Sequence, residues 1–484
     1  MVIPDLHFAK QFFITDSKLP NQTFTNWRAI PLLNGLTLHT HPTLNIEKIN
    51  RGTSQYILLG HIIDPFNPAY SNQDVLNNIF TKDCNFSDIE KSIFSLGGRW
   101  ILLLDIPKDT RIYHDAAGLK PVFYCTNNGS KFVASQPSLL SVLGATNEDP
   151  NKLELFSQHN NAQSWPINAS PYHDVAQLIP NHYLDVIAMR STRYWPHSKL
   201  EQQDTNTVAT KMNQILKGTL QALILRGNCT MSLTGGYDSR LLLSCALEYK
   251  DKLSFFTVLS DFTPQYDIDI PKKLAKLYDL KHKFVLKNNN AQENDSIISV
   301  LLANVGNMFY DRSKENITAF AEATNNNTHL PGSVSEISRC YYYPYGIRHR
   351  KMNGKSLARI AGFKANPIAE SAFEQWCSTV PKDMCYYILD LLYWEHRLGT
   401  WGACGLTFKE GLMDQTPPMN NRLFMSLGLS TPVKDRLAPY RLTQNIIALN
   451  DPKLLSLNFN NDSKTSYSYQ FPLLRRVVKL LKNG

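Results

Sequence analysis

The segment CTMSLTGGYDSRLLLSCALEY, at positions 229–249, most constrains how this chain can fold. A short apolar run stops at a threonine and two glycines, and apolar residues at helical spacing follow at once. This pattern predicts a buried strand whose carboxyl end leads directly into a helix. Further apolar runs at 253–260 and 282–286, with a helical pattern between them, extend the alternation. Strands that alternate with helices predict a parallel sheet covered by helices on both faces.

The turn at 234–239 has the composition of a phosphate-binding turn. In open α/β sheets, ligands bind at the carboxyl ends of strands, where a helix N-terminus presents N–H groups and partial positive charge. Gly235 and Gly236 permit close approach of the backbone, and Thr234 and Ser239 carry hydroxyls that can donate to phosphate oxygens. A phosphate would repel Asp238 unless a cation lay between them, which points to Mg²⁺. A plain helix N-cap after a glycine turn is the alternative that these residues leave open.

The first 200 residues have a different pattern. Apolar runs at 54–64 and 98–106, three strands joined by two turns over 109–136 and two short runs within 175–198 predict antiparallel strands. The segment 87–98 predicts a helix that a glycine ends. A chain of 484 residues is too long for one ordinary core. We therefore predict an α+β domain of layered antiparallel sheets at 1–200 and an α/β domain at 205–484, mainly helical beyond residue 290.

Composition excludes several classes of protein. Hydrophobic residues make up 43% of the chain and charged residues 19%, as in a folded globular protein. The net charge of +9 suits an anionic small substrate and does not require a nucleic acid partner. The sequence predicts no membrane span, and its N-terminus lacks the pattern of a secretion signal. Eight cysteines without a CxxC pair fit a reducing cytoplasm and no zinc site.

Several motifs carry a resemblance to a known family. The segment Thr234-Gly235-Gly236-Tyr237-Asp238-Ser239 resembles the S-G-G-x-D-S loop of ATP pyrophosphatases, with threonine in place of the first serine. Segments at 96–124, 178–196 and 406–424 resemble, in order and spacing, parts of the asparagine synthetase family. The resemblance implies an N-terminal class II glutamine amidotransferase-like domain. It also implies a C-terminal synthetase domain that resembles the adenine-nucleotide α-hydrolase fold.

The chain departs from this family at its catalytic nucleophile. Family members hydrolyse glutamine with an N-terminal cysteine that removal of Met1 exposes, whereas this chain has Val2 and its first cysteine is Cys84. The thiol and its neighbouring α-amine base are therefore missing. We expect a first domain that does not hydrolyse glutamine. In this respect the chain resembles β-lactam synthetase-type and lasso-peptide cyclase-type members, whose nucleophile is an amine.

The resemblance implies ATP and Mg²⁺ as cofactors and an amide-forming reaction. A substrate carboxylate attacks the α-phosphorus of ATP to give an acyl-adenylate and pyrophosphate, and an amine then displaces AMP. The implied partners are ATP, a small-molecule or peptide carboxylate, and an amine or ammonia. A homodimer is left open.

The resemblance also assigns roles to individual residues. Asp238 is implied as a metal ligand, and adenine and ribose lie against Leu233 and Val258. The phosphate cradle comprises Thr234, Gly235, Gly236 and Ser239. A later loop, within 329–343, resembles the family's G-E-G-x-D-E pattern and retains a glycine at Gly332. Glu336 in this loop is the candidate for a second metal ligand. The alternative for Glu336 is a helix-start glutamate stabilised by the helix dipole.

Cations downstream are candidates for contact with pyrophosphate. Family members have a lysine that stabilises the adenylation transition state, and the corresponding segment here offers Lys434 and Arg436 as catalytic candidates. Solvated surface charges are the alternative. The tyrosine- and arginine-rich segment 339–350 is a candidate substrate site or lid.

Two other functions compete with the ligase prediction. The chain could modify a nucleotide or tRNA, although its first domain and the lack of paired cysteines for sulfur transfer argue against this. It could also be a nucleotide-binding or assembly protein that keeps the fold with an eroded metal site.

Overall fold

The computed structural model describes residues 6–18, 24–81, 85–159, 164–260, 263–286, 291–308, 317–347 and 352–459. The first half of the chain forms twelve described strands and four described helices. The strands are β1 Phe12–Thr15, β2 Arg28–Pro31, β3 Thr37–Thr40, β4 Ile46–Arg51, β5 Ser54–Ile63, β6 Gly97–Ile106, β7 Asp109–His114, β8 Phe123–Asn127, β9 Ser130–Ala134, β10 Ala176–Gln177, β11 His182–Asp185 and β12 Arg190–Arg193. The helices are α1 Asn72–Ile79, α2 Phe86–Ile93, α3 Pro137–Val142 and α4 Pro150–His159.

Two antiparallel sheets, each of six described strands, pack face to face in this half. Their strand orders are β10-β8-β9-β1-β3-β2 and β12-β11-β7-β6-β5-β4. Strand β6 is buried on both faces: Ile101 and Leu103 join the core between the sheets, whereas Trp100 and Leu102 join the core under the helices. A continuous apolar strand is expected where both faces of a sheet are covered.

The second half forms a parallel sheet surrounded by helices. The described strands are β13 Cys229–Ser232, β14 Leu253–Leu259, β15 His282–Leu286 and β16 Thr328–Leu330. The helices are α5 Thr205–Arg226, α6 Tyr237–Ala246, α7 Tyr266–Tyr278, α8 Ala291–Val305, α9 Ile317–Thr324, α10 Gly354–Ile360, α11 Pro367–Thr379, α12 Ile388–Leu391, α13 Ala403–Lys409, α14 Arg422–Ser430, α15 Val433–Arg436 and α16 Arg441–Asn450. A π-helix spans Leu392–Gly402.

The strand order of the parallel sheet places the candidate turn. The order is β15-β14-β13-β16, and every adjacent pair is parallel. From β13 the chain moves through β14 to β15 on one side, and it later returns to place β16 on the other side. The order therefore reverses at β13, which is the topological switch point where open α/β sheets bind ligands.

The predicted fold class is confirmed: layered antiparallel sheets precede a parallel sheet with many helices. The predicted boundary between residues 200 and 205 stays a prediction. One hydrophobic cluster runs through both halves and contains, for example, Trp100, Trp165, Leu242 and Trp394. The two halves therefore share buried apolar surface.

Several elements differ from the sequence-based expectation. Helix α2 ends at Ile93, and Gly97 and Gly98 begin strand β6 instead of ending the helix. Strands β1 to β4 and β16 were not predicted, and four of these five have only three or four residues.

The described cysteines and helices bear on two further expectations. Six cysteines in the described part of the chain are free: Cys125, Cys229, Cys245, Cys340, Cys377 and Cys404. Burial raises the pKa of the Cys245 thiol to about 12, which makes this thiol a weak nucleophile. In the part of the chain that the structure describes, no helix combines the length and apolar character that a membrane crossing requires.

Gly218 tests the packing between the two halves. A Cβ on this residue of α5 would lie 1.8 Å from the carbonyl oxygen of Pro65. We expect Gly218→Ala to lower the free energy of unfolding by about 1–3 kcal/mol, the usual cost of overpacking, although alanine favours a helix over glycine. Urea unfolding followed by circular dichroism measures the change.

Gly227→Ala is the matched control. No heavy atom lies within 4 Å of a Cβ on Gly227, and its φ of 166° is extended backbone that any residue adopts. Its free energy of unfolding should stay within about 0.5 kcal/mol of the wild-type value. Equal stability of the two variants would contradict the close approach of α5 to Pro65.

Candidate functional site

The turn between β13 and α6 is held by its own hydroxyl groups. The Thr234 amide donates to Ser239 Oγ at 3.2 Å, and Ser239 Oγ donates to the Thr234 carbonyl at 3.0 Å. The Gly236 amide donates to Thr234 Oγ1 at 3.2 Å. Helix α6 begins after Gly236, which provides no side-chain cap. The helix N-terminus thus has the chemistry of an anion site, because its first N–H groups have no partner within the helix.

The neighbouring strand β14 fixes the start of the turn. Thr257 Oγ1 donates to the Leu233 carbonyl at 2.9 Å, and the Leu233 amide donates to the Phe256 carbonyl at 2.8 Å. Leu233 is fully buried, and half-buried Val258 packs against a small apolar cluster that includes Phe256. Contact of adenine with Leu233 and Val258 stays a prediction.

The loop after β16 meets the first turn of α6. A Cβ on Gly332 would lie 3.1 Å from the backbone carbon of Asp238 and 3.1 Å from the amide nitrogen of Ser239. These distances are tighter than most real Cβ contacts. The absence of a side chain at Gly332 therefore permits the close approach of the two loops. Both turns that the sequence predicted to act together lie at the switch point of the sheet.

Arg339 lies between the two predicted metal ligands. Its Nη2 donates to Asp238 Oδ1 at 2.7 Å and to Asp238 Oδ2 at 2.6 Å, and it lies 3.9 Å from Glu336 Oε1. Ser335 also donates to Asp238, and Tyr393 donates to Glu336. Burial opposes the charged form of Arg339, but Asp238 and Glu336 outweigh it and raise the pKa of the guanidinium.

These side chains, as arranged, do not fit a magnesium ion. Mg²⁺ requires near-octahedral oxygen ligands, whereas both oxygens of Asp238 accept hydrogen bonds from Arg339. Among the described residues, no group of three or more histidine, cysteine, aspartate or glutamate side chains could hold a metal ion. The ligand roles of Asp238 and Glu336 stay predictions.

The two candidate catalytic cations lie in different surroundings. Arg436 is fully buried, and its Nη2 lies 2.5 Å from Asp390 Oδ1 and donates to the Ile337 carbonyl at 2.9 Å. It therefore braces the loop that carries Glu336. Lys434 is exposed on the short helix α15. A catalytic role for either cation stays a prediction.

Asp267 is a site residue that the sequence did not indicate. Its Oδ1 accepts a hydrogen bond from the Gly235 amide at 2.6 Å, and burial raises the pKa of its carboxyl group. It lies in the first turn of α7, one strand away from the candidate turn. A phosphate that used the Gly235 amide would have to displace this carboxylate.

The π-helix connects the candidate site with the first half of the chain. Tyr393 contacts Glu336, whereas Glu395 accepts hydrogen bonds from Arg193, Trp376 and Asn181. The sequence predicted an ordinary helix here. π-helical turns are rare and often lie at functional sites.

Some predicted positions lie outside the described residues. They are Val2, Cys84 and positions 348–350 of the tyrosine- and arginine-rich segment. Within that segment, Tyr342 and Tyr343 are buried, and Tyr345 and Ile347 are exposed.

Comparisons with known proteins give no family for the chain. No protein-family model matches it, and no curated protein matches it. Solved structures that match include a glutamine-dependent NAD+ synthetase from Acinetobacter baumannii in complex with ADP, at 17% identity and a TM-score of 0.19, over 33% of this chain and 31% of that one. The match thus spans less than a third of that synthetase.

Two further matches cover more of the other chain. One is an NMN synthetase from Francisella tularensis, at 11% identity and a TM-score of 0.22, over 42% of this chain and 92% of that one. The other is a glutamine PRPP amidotransferase from B. subtilis complexed with ADP and GMP, at 11% identity and a TM-score of 0.25, over 70% of this chain and 72% of that one. Similarity at these TM-scores does not indicate a function for this chain.

Proposed function

We propose that this chain is an ATP-dependent, AMP-forming ligase that makes an amide bond through an acyl-adenylate, as the resemblance to the asparagine synthetase family implies. The observation that carries the proposal is the meeting of two glycine-containing turns at the switch point of the parallel sheet. One turn ends at the N-terminus of α6, where backbone N–H groups and the helix dipole suit phosphate. The other turn approaches it through Gly332.

The residues of the turn bind and orient the triphosphate. The hydroxyls of Thr234 and Ser239, which now bond to each other's groups, turn toward phosphate oxygens, and the α6 N-terminus offsets their charge. A substrate carboxylate attacks the α-phosphorus, and the bond to pyrophosphate breaks. An amine or ammonia then attacks the acyl carbon, AMP leaves, and the amine loses a proton. Lys434, exposed on the same short helix as Arg436, is our candidate for contact with leaving pyrophosphate.

We propose small molecules or peptides as the acid and the amine. The proposal keeps the sequence-based expectation that glutamine is not hydrolysed. Glutamine should therefore support amide formation no better than an ammonium salt. Amide formation measured with each nitrogen source in turn checks this expectation.

A second candidate function has one observation in its favour. Arg339 pairs with Asp238, so the carboxylate implied as a metal ligand is already neutralised. A nucleotide-binding or assembly protein that no longer needs catalytic metal could keep this arrangement. It would bind ATP but would release no pyrophosphate with any carboxylate.

Pyrophosphate release from ATP, measured with a panel of carboxylates and amines, tests the proposal. We expect carboxylate-dependent release, and we expect Ser239→Ala to reduce it about 10- to 100-fold. This range corresponds to the loss of one hydrogen bond to a charged group, about 1.5–3 kcal/mol.

Ser378→Ala is the matched control, because Ser378 is exposed on α11 and bonds only within that helix in the described contacts. It should leave release unchanged. ATP binding without release across the panel would favour the second candidate function. The absence of ATP binding would exclude both functions.

A further inference from the structure

The short 3₁₀-helix Ser335–Arg339 brings two side chains, those of Ser335 and Arg339, into contact with Asp238. Both bond directly to the Asp238 carboxylate, and Glu336 Oε1 lies 3.9 Å from the same Arg339 nitrogen, Nη2, that donates to Asp238. Arg339 therefore occupies the position between two carboxylates that a bridging cation would require. The Arg339 side chain is only 11% exposed, whereas those of Asp238 and Glu336 are 28% and 38% exposed, so water reaches the carboxylates more than the guanidinium.

The backbone around this helix is held in an unusual conformation. Val334, immediately before the helix, has a φ of 84°, and Cys340, immediately after it, has a φ of 54°. A β-branched residue at positive φ is strained and persists only where its surroundings enforce it. Val334, Ile337 and Cys340 are all buried, and Arg436 bonds to the Ile337 carbonyl. The position of Arg339 is thus fixed by the fold and not only by its flexible side chain.

The surroundings of Arg339 connect it to the start of α6. Its guanidinium carbon lies 5.4 Å from the centre of the Tyr440 ring. The Tyr440 ring makes an edge contact with the ring of Tyr237, the first residue of α6, at 5.0 Å between centroids. The positive charge therefore lies beside the helix end at which we place phosphate, and it neutralises a carboxylate that would otherwise repel that phosphate.

We propose that Arg339 performs at this site the electrostatic task of a divalent cation between Asp238 and Glu336, so that ATP binds at the turn without free divalent metal. The inference rests on the proposed function and adds to it a binding residue and a metal requirement. A guanidinium is permanently charged, and its planar group of N–H donors matches the geometry of carboxylates and phosphates. The ammonium group of a lysine lacks this planar arrangement. The proposal concerns nucleotide binding and assigns no metal to the chemical steps.

Calorimetric titration with ATP, once with millimolar MgCl₂ and once with EDTA, tests this proposal on the full chain. We expect the wild-type Kd to change by less than about threefold between the two conditions. We expect Arg339→Gln to weaken binding at least about tenfold in EDTA, equivalent to 1.4 kcal/mol, and to regain part of it with MgCl₂. Arg339→Lys keeps the charge but loses the planar guanidinium. Its Kd for ATP in EDTA should lie between those of the wild type and Arg339→Gln.

Arg359→Gln is the matched control, because Arg359 is exposed on α10, and it should bind ATP as the wild type does. Wild-type binding that requires MgCl₂ would overturn the inference and leave the proposed function intact. Arg339→Gln binding ATP as tightly as wild type in EDTA would reduce Arg339 to a structural ion pair. No binding in either condition would remove the proposed function together with the inference. The wild-type comparison decides the matter even if Arg339→Gln fails to fold.

Discussion

At pH 5.0 the protein should lose about 8 kcal/mol of the stability that it has at pH 7.5, because four buried histidines are neutral in the folded state. They are His114, His182, His329 and His396, and each is at most 4% exposed. Burial lowers the pKa of His114 and His182 to about 4, and that of His329 and His396 to about 3. Their ordinary value is 6.5.

The direction of the effect follows from proton linkage. As the pH falls below 6.5, the unfolded chain takes up protons that the folded chain does not, so unfolding becomes more favourable. Stability is therefore fully retained above pH 6.5 and is lost as the pH falls toward the folded pKa values. At pH 5.0 each histidine accounts for roughly 1.5 pH units, or about 2 kcal/mol. The sum is comparable to the total stability of an ordinary domain, about 5–15 kcal/mol.

Urea unfolding at pH 7.5, 6.0 and 5.0 measures this loss. His396→Asn should reduce the difference between pH 7.5 and pH 5.0 by about 2 kcal/mol, whatever it does to stability at pH 7.5. His197→Asn, at an exposed position, is the control and should leave that difference unchanged. A stability that is flat from pH 7.5 to pH 5.0 would show that these histidines are not buried as neutral groups.

Replacement of Glu395 by alanine should cost about 3–5 kcal/mol, the usual penalty for leaving a buried charge unpaired. Glu395 is fully buried in the π-helix, and Arg193 donates to it from β12 through Nη1 at 2.5 Å and Nη2 at 2.7 Å. Trp376 and Asn181 donate to the same carboxylate at 2.7 and 2.9 Å. Burial opposes the charged carboxylate, but Arg193 outweighs it and holds the pKa of Glu395 below its ordinary value.

Thermal and urea unfolding of Glu395→Ala test this expectation. Glu201→Ala, at an exposed position, is the control and should stay within about 0.5 kcal/mol of wild type. The double variant Arg193→Met, Glu395→Leu should recover part of the loss, because it leaves neither charge unpaired. A loss below about 1 kcal/mol for Glu395→Ala would mean that the pair contributes little to joining the two halves of the chain.

The alternation of strands and helices made the parallel sheet predictable. Strands β13 and β14 are short apolar runs separated by a helical pattern. The turn after β13 is recognisable by its glycines and hydroxyl residues. Strand β16 has only three residues, Thr-His-Leu, and no local pattern distinguishes it from a loop. Strand β16 pairs with β13, which lies about 100 residues earlier in the chain, and local periodicity cannot reveal such a long-range pairing.

The sequence predicted the first turn of the candidate site but not the ion pairs that its charged side chains make. Hydroxyl and glycine residues at 234–239 indicated the turn, and Gly332 and Glu336 indicated the second loop. The position of Arg339 could not be predicted, because its spacing from Glu336 in the sequence does not show that Arg339 bonds to Asp238. Arg436 was identified as a cation near the site, but only the structure shows that Asp390 neutralises it in the core.

A crystal structure of the full chain with a non-hydrolysable ATP analogue tests most directly whether the turn at 234–239 binds the nucleotide. We expect phosphate oxygens at the N-terminus of α6, within hydrogen-bond distance of Ser239 Oγ, with Arg339 still beside Asp238. Nucleotide bound elsewhere, with Asp267 still bonded to the Gly235 amide and no phosphate at the turn, would show that the turn is not the ATP site.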